Sequence, residues 1–446
     1  MEPFERRLML KTAGEIGVKS PRTRRRFLRI LRRNIAAALH REDVPGEVPP
    51  GWGRLLVETP EPERARPVLS RVFGVHSVSD VAVVPFDGLE DLVAKAADIY
   101  RDRVRGRTFA IRPRRTGEHD FRSMDVARRL GDALIADSAG VNLDAPDAEV
   151  PVEVVYEHAY LVLGQEPGAG GLPVGTGGRA VALFSGGFDS PVAAWMTLSR
   201  GTALDLVICD LGGCAQTDAA LEVAKEFATH WAPGVEPRAH VIDLIPVIAA
   251  LTQEVAPRLR QVLLKRAMYR AASLVAEAVG ADAIVTGEAL GQASTQTLRN
   301  LAVAEEAASM AVLRPLVGMS KEEIIGRART IGTHDVSTRV QEYCNIATGP
   351  VETWANLAEV AAAEGPLDET VIRKAAEERR EVDLVDWARG PLPAYVVEDL
   401  PAGAVVVDVR EPGEGQPVGD LQLPFSQSEE WTEGLDREKT YLFVCS

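Results

Sequence analysis

Four cysteines in 446 residues, Cys209, Cys214, Cys344 and Cys445, are too few and too scattered for the disulfide framework of a secreted domain. None stands in a CxxC pair, so zinc and iron–sulfur centres lack a ligand set, and a cysteine that matters here matters by reactivity. No apolar run approaches the roughly 20 residues that cross a bilayer. The amino terminus, Met1-Glu2-Pro3-Phe4-Glu5-Arg6-Arg7, has no apolar centre of the kind a signal peptide carries. The expectation is a cytoplasmic protein with no membrane contact.

The net charge of −15 would seem to exclude a nucleic-acid partner, but it is unevenly distributed. Residues 1–60 hold 13 Arg/Lys against 7 Asp/Glu, and residues 101–130 hold 10 Arg against 4 acids. Residues 351–446 reverse the balance, with 8 basic and 21 acidic residues. A polyanion could therefore dock at the front of the chain.

The length prior suggests about three domains. Residues 1–60 read as a small α/β unit: a strand at Arg7–Thr12, a turn at Gly14–Gly17, a helix from Pro21 to His40 and a strand at Arg54–Glu58. Phe27, Leu28, Leu31, Ile35 and Leu39 form the buried stripe of that helix. Arg22, Arg24, Arg25, Arg26, Arg29, Arg32 and Arg33 crowd its remaining surface with no acid among them. Such a run is either a solvated face or the footprint of an anionic partner.

Residues 61–165 read as a second α/β unit, with a helix at Glu61–Phe73, a strand at Ser77–Pro85, a helix at Leu89–Val104 and a strand at Thr108–Arg112. Arg112, Arg114 and Arg115 then leave the strand into a loop, where they could grip phosphates. Phe109 and Ile111 should face inward, and Phe121 reads as core in preference to a stacking surface. A glycine-rich linker over 166–178 precedes a third unit, 179–394. There strands at Ala180–Phe184, Ala203–Asp210, Ala239–Asp243 and Ala283–Thr286 alternate with helical patterns, which predicts a doubly wound parallel sheet. After residue 395, short apolar runs at 405–409, 423–425 and 441–445 each have the length of a strand.

The most informative run is Ala180-Val181-Ala182-Leu183-Phe184-Ser185-Gly186-Gly187-Phe188-Asp189-Ser190. It lacks the Gly-Lys-Ser/Thr of a Walker loop and the three spaced glycines of a dinucleotide fingerprint. A buried strand breaks instead into small residues that open a helix, and this is a pyrophosphate cradle. Gly186 and Gly187 admit an anion close to the backbone, while Ser185, Ser190 and the amides at the helix start can donate to it. Ser-Gly-Gly-x-Asp-Ser resembles the PP-loop of the ATP pyrophosphatases, which split ATP between its α and β phosphates. Ligands of a doubly wound sheet sit at the carboxyl ends of its strands. Ser185–Ser190, Ile208-Cys209 and Gly287-Glu288 all fall there.

Further motifs follow in order: Gly14-Glu15-Ile16 with Lys19-Ser20 and Thr23-Arg24; the stretch Phe109–Gly131; Gly171-Leu172-Pro173-Val174-Gly175; Gly287-Glu288-Ala289-Leu290-Gly291-Gln292; Ser294-Thr295-Gln296-Thr297; and Arg314-Pro315-Leu316. With the PP-loop, this ordered set resembles the tRNA 4-thiouridine synthetases (ThiI family) over nearly the whole chain. The resemblance implies a ferredoxin-like domain at 1–60, a THUMP RNA-binding domain at 61–165, a PP-loop domain at 179–394 and a partial rhodanese-like segment at 395–446. It implies ATP contacts at Leu183, Phe184, Ile208, Cys209, Lys265, Gly287 and Gln296, with Lys321 near the phosphates and Cys209 packing near the adenine. On residue type alone, Lys265 and Lys321 could equally be helix-surface lysines, and Gln296 could cap a turn. Asp189 is assigned to holding Mg²⁺ or orienting the phosphates, and Arg24, Arg25, Arg112, Arg114 and Arg115 to RNA.

In the rhodanese-bearing members a carboxy-terminal cysteine accepts a persulfide from a cysteine desulfurase, and a second cysteine closes a disulfide with it as sulfur leaves. By that resemblance Cys445 is the carrier and Cys344, in Glu342-Tyr343-Cys344-Asn345, its partner. Only Ser446 follows Cys445, so the loop that cradles a rhodanese thiolate is cut through. The implied activity is adenylation of uridine 8 of tRNA by ATP and replacement of its 4-oxygen by sulfur. A thiazole-pathway sulfur-carrier protein and a second copy of the chain are further partners to test. Two rival readings are a non-catalytic tRNA-binding protein and a PP-loop ligase or amidotransferase acting on a small molecule.

Overall fold

The computed structural model describes residues 4–49, 55–293, 295–340, 351–365, 369–389, 403–410, 418–424, 434–436 and 439–444. They fall into two compact units, residues 1–387 and 388–446. Both expected cysteines of sulfur transfer, Cys344 and Cys445, lie outside the described residues.

The front of the first unit is one mixed sheet of seven strands: β1 (Glu5–Thr12), β2 (Leu55–Val57), β3 (Val75–Pro85), β4 (Thr108–Thr116), β5 (Gly140–Val141), β6 (Ala148–Val155) and β7 (His158–Pro167). Their order is β2-β1-β3-β7-β6-β4-β5. The sheet runs through both front segments because β1 pairs antiparallel with β3 along its whole length. Five helices accompany it: α1 (Gly14–Gly17), α2 (Pro21–Arg41), α3 (Pro62–Ser70), α4 (Gly88–Val104) and α5 (Ser123–Leu134). The expected turn at Gly14–Gly17 is a single turn of helix, α1, with Ile16 fully buried. Phe27, Leu31, Ile35 and Leu39 of α2 pack with Leu8 and Leu10 of β1. Met9, which alternation turns to the other side of β1, joins Val81, Val83 and Val162.

β4 is longer than its sequence pattern indicates. The expected strand ends at Arg112, before Pro113, yet it runs on to Thr116, paired in parallel with β6 as far as Val155. On its other side β5 covers only Thr108 and Phe109. Beyond residue 109, β4 is thus an edge strand, where a missing proline donor is tolerated. Arg112, Arg114 and Arg115 therefore stand on a strand and not in a loop. Phe109, Ile111 and Phe121 are buried together against α4 and α5, as expected.

The second sheet comprises β8 (Arg179–Leu183), β9 (Ala203–Asp210), β10 (Arg238–Asp243), β11 (Ala283–Val285), β12 (Ala311–Leu313) and β13 (Arg380–Asp383), in the order β12-β11-β8-β9-β10-β13. All neighbours are parallel except β13, an antiparallel edge strand the sequence pattern did not reveal. Helices cover both faces: α6 (Asp189–Leu198), α7 (Cys214–Trp231), α8 (Ile245–Glu254), α9 (Pro257–Val279), α10 (Leu298–Glu305), α11 (Lys321–Thr330), α12 (His334–Ser337), α13 (Leu357–Ala363) and α14 (Glu369–Glu377). Two apolar layers result, one built on α6 and α7 and the other on α9. Chain order reverses at β8, so the crevice of this sheet opens where β8 ends.

The glycine-rich segment between the sheets is not loose. Gly171 has φ +69°, and a Cβ there would lie 2.2 Å from the Ser199 carbonyl oxygen. Leu172 forms a bridge to Arg200. Across the same junction, Phe73 packs against Trp195 and Trp231, Arg41 donates to the Ala228 carbonyl at 2.9 Å, and Arg200 forms a double ion pair with Glu15.

The second unit shows a three-stranded parallel sheet, with β14 (Val405–Asp408) between β15 (Leu421–Gln422) and β16 (Tyr441–Val444). The middle strand of the tail, expected at 423–425, is set back to Leu421–Gln422, and Pro424 lies past its end.

Candidate functional site

β8 ends at Leu183, and the next five residues form the loop that opens α6. The buried Ser190 hydroxyl accepts the Ser185 amide at 3.1 Å and the Gly186 amide at 3.2 Å, which closes the loop on itself. Gly186 has φ +82°, and a Cβ there would meet the Ala220 Cα at 2.9 Å, so the turn admits no side chain. Asp189 is the first residue of α6. Both its oxygens accept from the Lys321 ammonium, at 2.9 and 3.0 Å. Lys321 owes its place to a capping box: Ser320 and Glu323 bond each other's amides and fix the start of α11 one residue away. The sequence left Lys321 open between a surface role and a phosphate role. The fold brings it to Asp189.

The remaining expected residues divide by face. The side chains of Phe184 and Ile208 are buried in the apolar layer on α6 and α7, so at those positions only backbone can face a ligand. Leu183 and Cys209 point to the α9 layer. Gly287 lies against the start of α6, where a Cβ would come within 2.9 Å of the Asp189 carbonyl carbon and the Ser190 nitrogen. Gln296 is half-buried, and its Oε1 has no hydrogen-bond partner among the described residues.

Lys265 reaches from α9 to Glu288, 2.8 Å away, in a network that sequence reasoning missed. Glu288, 8% exposed, also accepts from the Tyr269 hydroxyl at 2.5 Å and from Arg314 Nε at 3.0 Å. Arg314 pairs onward with Glu305 at 2.5 Å. Burial pushes the Glu288 carboxyl up, but the Lys265 charge and the hydrogen bonds from Lys265 and Tyr269 outweigh it and hold the group below the usual glutamate range. The same burial, with Glu288 beside it, pushes the Tyr269 phenol well above its ordinary value. The only sequence signal was Glu288 standing at a strand end beside Gly287.

A second feature lies on the front sheet. A groove of about 1090 Å³ is lined by Lys11, Lys19, Arg24, Arg25, Arg112 and Arg114, with Met9 and Val162 among its apolar floor residues. Four of the five arginines expected to bind RNA meet there. Arg115 does not line it; its guanidinium donates to the Gly117 carbonyl at 3.1 Å and lies 3.0 Å from the His119 Nδ1. Arg112 is shared with Glu149 at 3.2 Å. Arg22, Arg24, Arg25, Arg26 and Arg29 form no ion pair among the described residues, so none of the described acids neutralises their charge.

The chain matches the model of the thiamine biosynthesis protein (ThiI) family over residues 175–368, that of the ThiI ferredoxin-like domain over 7–79 and that of the THUMP domain over 87–163. A tRNA sulfurtransferase of Desulfurococcus amylolyticus is 41% identical over 408 residues, which cover 90% of this chain and 84% of that protein. The chain belongs to the tRNA sulfurtransferase (ThiI) family. A tRNA sulfurtransferase of Escherichia coli K12 is 34% identical over 455 residues, 98% of this chain and 94% of its own length. Among solved structures, a 4-thiouridine synthetase crystallised with RNA and ATP aligns with a TM-score of 0.72 at 28% identity, over 85% of this chain and 99% of that one. The ferredoxin-like match of this tRNA sulfurtransferase family member extends to residue 79 and so takes in the first part of β3. Among the described residues no helix is long and apolar enough to cross a membrane, and no group of three or more His, Cys, Asp or Glu side chains is arranged to hold a metal ion.

Proposed function

We propose that this chain is an ATP-dependent tRNA sulfurtransferase that adenylates the 4-oxygen of uridine 8 and then replaces it with sulfur, giving 4-thiouridine. The observation that carries the reading is the phosphate loop at the end of β8, closed by Ser190 and flanked by the Asp189–Lys321 pair. The basic groove on the same compact unit supplies what a small-molecule ligase would have no use for.

The uracil 4-oxygen is a poor leaving group, so it first attacks the α-phosphorus of ATP and pyrophosphate departs. The loop amides and the start of α6 take the charge that develops on the phosphates, Lys321 beside Asp189 shares it, and Lys265 is assigned to the same charge. Both Asp189 oxygens keep a lone pair beyond the one each gives to Lys321, so Asp189 would hold Mg²⁺, which takes one or two protein carboxylates and fills its shell with phosphate and water. Bound there, the ion would neutralise charge on the departing pyrophosphate.

The second step is attack by sulfur at C4 with loss of AMP. We assign the persulfide, donated by a cysteine desulfurase, to Cys445, and the thiol that displaces its sulfur, leaving a Cys344–Cys445 disulfide, to Cys344. The thiamine-biosynthesis description of the family model supports a second acceptor, a sulfur-carrier protein of the thiazole pathway. The groove, with Arg24, Arg25, Arg112 and Arg114, takes the tRNA backbone.

The deciding experiment is 4-thiouridine formation on unmodified tRNA with ATP and Mg²⁺, driven either by a desulfurase with cysteine or by free sulfide. Product with the desulfurase that is lost in Cys445→Ala supports the whole scheme. Product with sulfide alone supports adenylation but removes the Cys445 step. No product from either source overturns the reading.

A further inference from the structure

Lys265 sits two turns into α9 with its side chain 19% exposed. An ammonium carries three donors and no acceptor. One of them goes to Glu288, and no second acceptor meets Lys265 among the described residues. Two unused N–H groups on a largely buried cation are costly unless a ligand takes them. The crevice is the side from which a ligand would reach them: Glu288 directly follows Gly287, whose backbone lies against the first residues of the phosphate-loop helix.

We propose that Glu288 is a positioning residue for the nucleotide: its carboxylate, held between Arg314 and the Tyr269 hydroxyl, fixes the Lys265 ammonium so that the two remaining N–H groups point at ATP. The inference rests on the reading of Lys265 as an ATP contact. The geometry favours this role over plain cross-bracing. Bracing α9 to β11 would need one bond, whereas here a single buried carboxylate collects Lys265, Tyr269, Arg314 and, at 3.3 Å, the Thr286 hydroxyl. Three of these donors converge on Oε2 and Lys265 takes Oε1, so the carboxylate cannot turn without giving up bonds, and the ammonium it holds keeps one place before ATP arrives. A glutamine could not substitute. With two cations converging, its amide nitrogen would face one of them.

The test is equilibrium binding of ATP, without tRNA, to the full chain and to Glu288→Gln, Lys265→Met and the double variant, with thermal unfolding followed in parallel. Glu288→Gln should weaken ATP binding by roughly tenfold, the scale of one charged hydrogen bond. Lys265→Met should weaken it at least as much, and the double variant should bind no worse than Lys265→Met alone. Additive losses, or a lowered unfolding temperature with ATP affinity unchanged, would make Glu288 a structural brace and overturn the proposal. Should Glu288→Gln not fold, Glu288→Asp keeps the charge but withdraws it by one methylene; unchanged affinity in that variant also overturns it. Unchanged affinity in Lys265→Met removes the ATP reading of Lys265 and this inference together. Because no tRNA is present, failure of 4-thiouridine formation is a separate result.

Discussion

Trp195, six residues into the helix that begins at Asp189, packs edge-on against Phe73 of the front segment, with ring centroids 5.5 Å apart and planes inclined at 60°. Trp231 of α7 closes the cluster, 5.5 Å from each of the other two rings. The helix that opens from the phosphate loop is therefore, with α7, part of the surface on which the front half of the chain rests.

Truncating Phe73, which is 1% exposed, leaves a void at this junction. Phe73→Ala should cost about 3–5 kcal/mol of stability. If the variant still folds, tRNA-dependent turnover should fall more than ATP affinity, because the groove loses its seat while the loop keeps its own bonds. Chemical denaturation and ATP titration of the same preparation check both parts.

Asp189→Ala should abolish pyrophosphate release, since it removes the carboxylate at the start of α6 and leaves Lys321 without its partner. Cys344→Ala should release pyrophosphate at the normal rate and form no 4-thiouridine. Measuring the two products side by side separates the steps, and equal loss of pyrophosphate release in both variants would refute the division of roles.

Binding of tRNA should weaken steeply with salt, as phosphate contacts do. Arg112→Ala and Arg114→Ala should each lower the slope of log affinity against log salt by about 1. Arg115→Ala should leave the slope unchanged, since that guanidinium lies outside the groove. Filter binding over a salt series reads all three.

The Glu288 carboxyl is held below the ordinary range, so its folded pKa lies under its unfolded one. The stability it supplies is then complete above the unfolded value and disappears as pH falls through the folded value. The gap in unfolding temperature between wild type and Glu288→Gln should be widest near neutrality and narrow below about pH 4.

Local patterns carried much of the architecture. The alternation of apolar strands and helices over 179–286 gave four of the six strands of the second sheet within a residue or two at each end, and the small-residue break after Leu183 identified the phosphate loop. The misses have tertiary causes. Pro113 stops a strand only where its missing donor is needed, and whether β4 has a neighbour there depends on how short β5 is. Lys265, Tyr269, Glu288 and Arg314 are spread over 50 residues, so no window of sequence shows that one carboxylate gathers the other three. No local pattern joins Phe73, Trp195 and Trp231, and only their shared cluster marks a junction between modules.

Gly171 has no room for even a methyl group against the Ser199 carbonyl, and Gly171→Ala should cost more than about 1 kcal/mol for that reason. A connector seated so tightly is a splint and not a tether. The basic groove and the phosphate loop then behave like the two jaws of a caliper set at one opening. Whatever polyanion seats in the groove offers the loop only the part of itself that lies at that span, and discrimination by reach comes before any base is read.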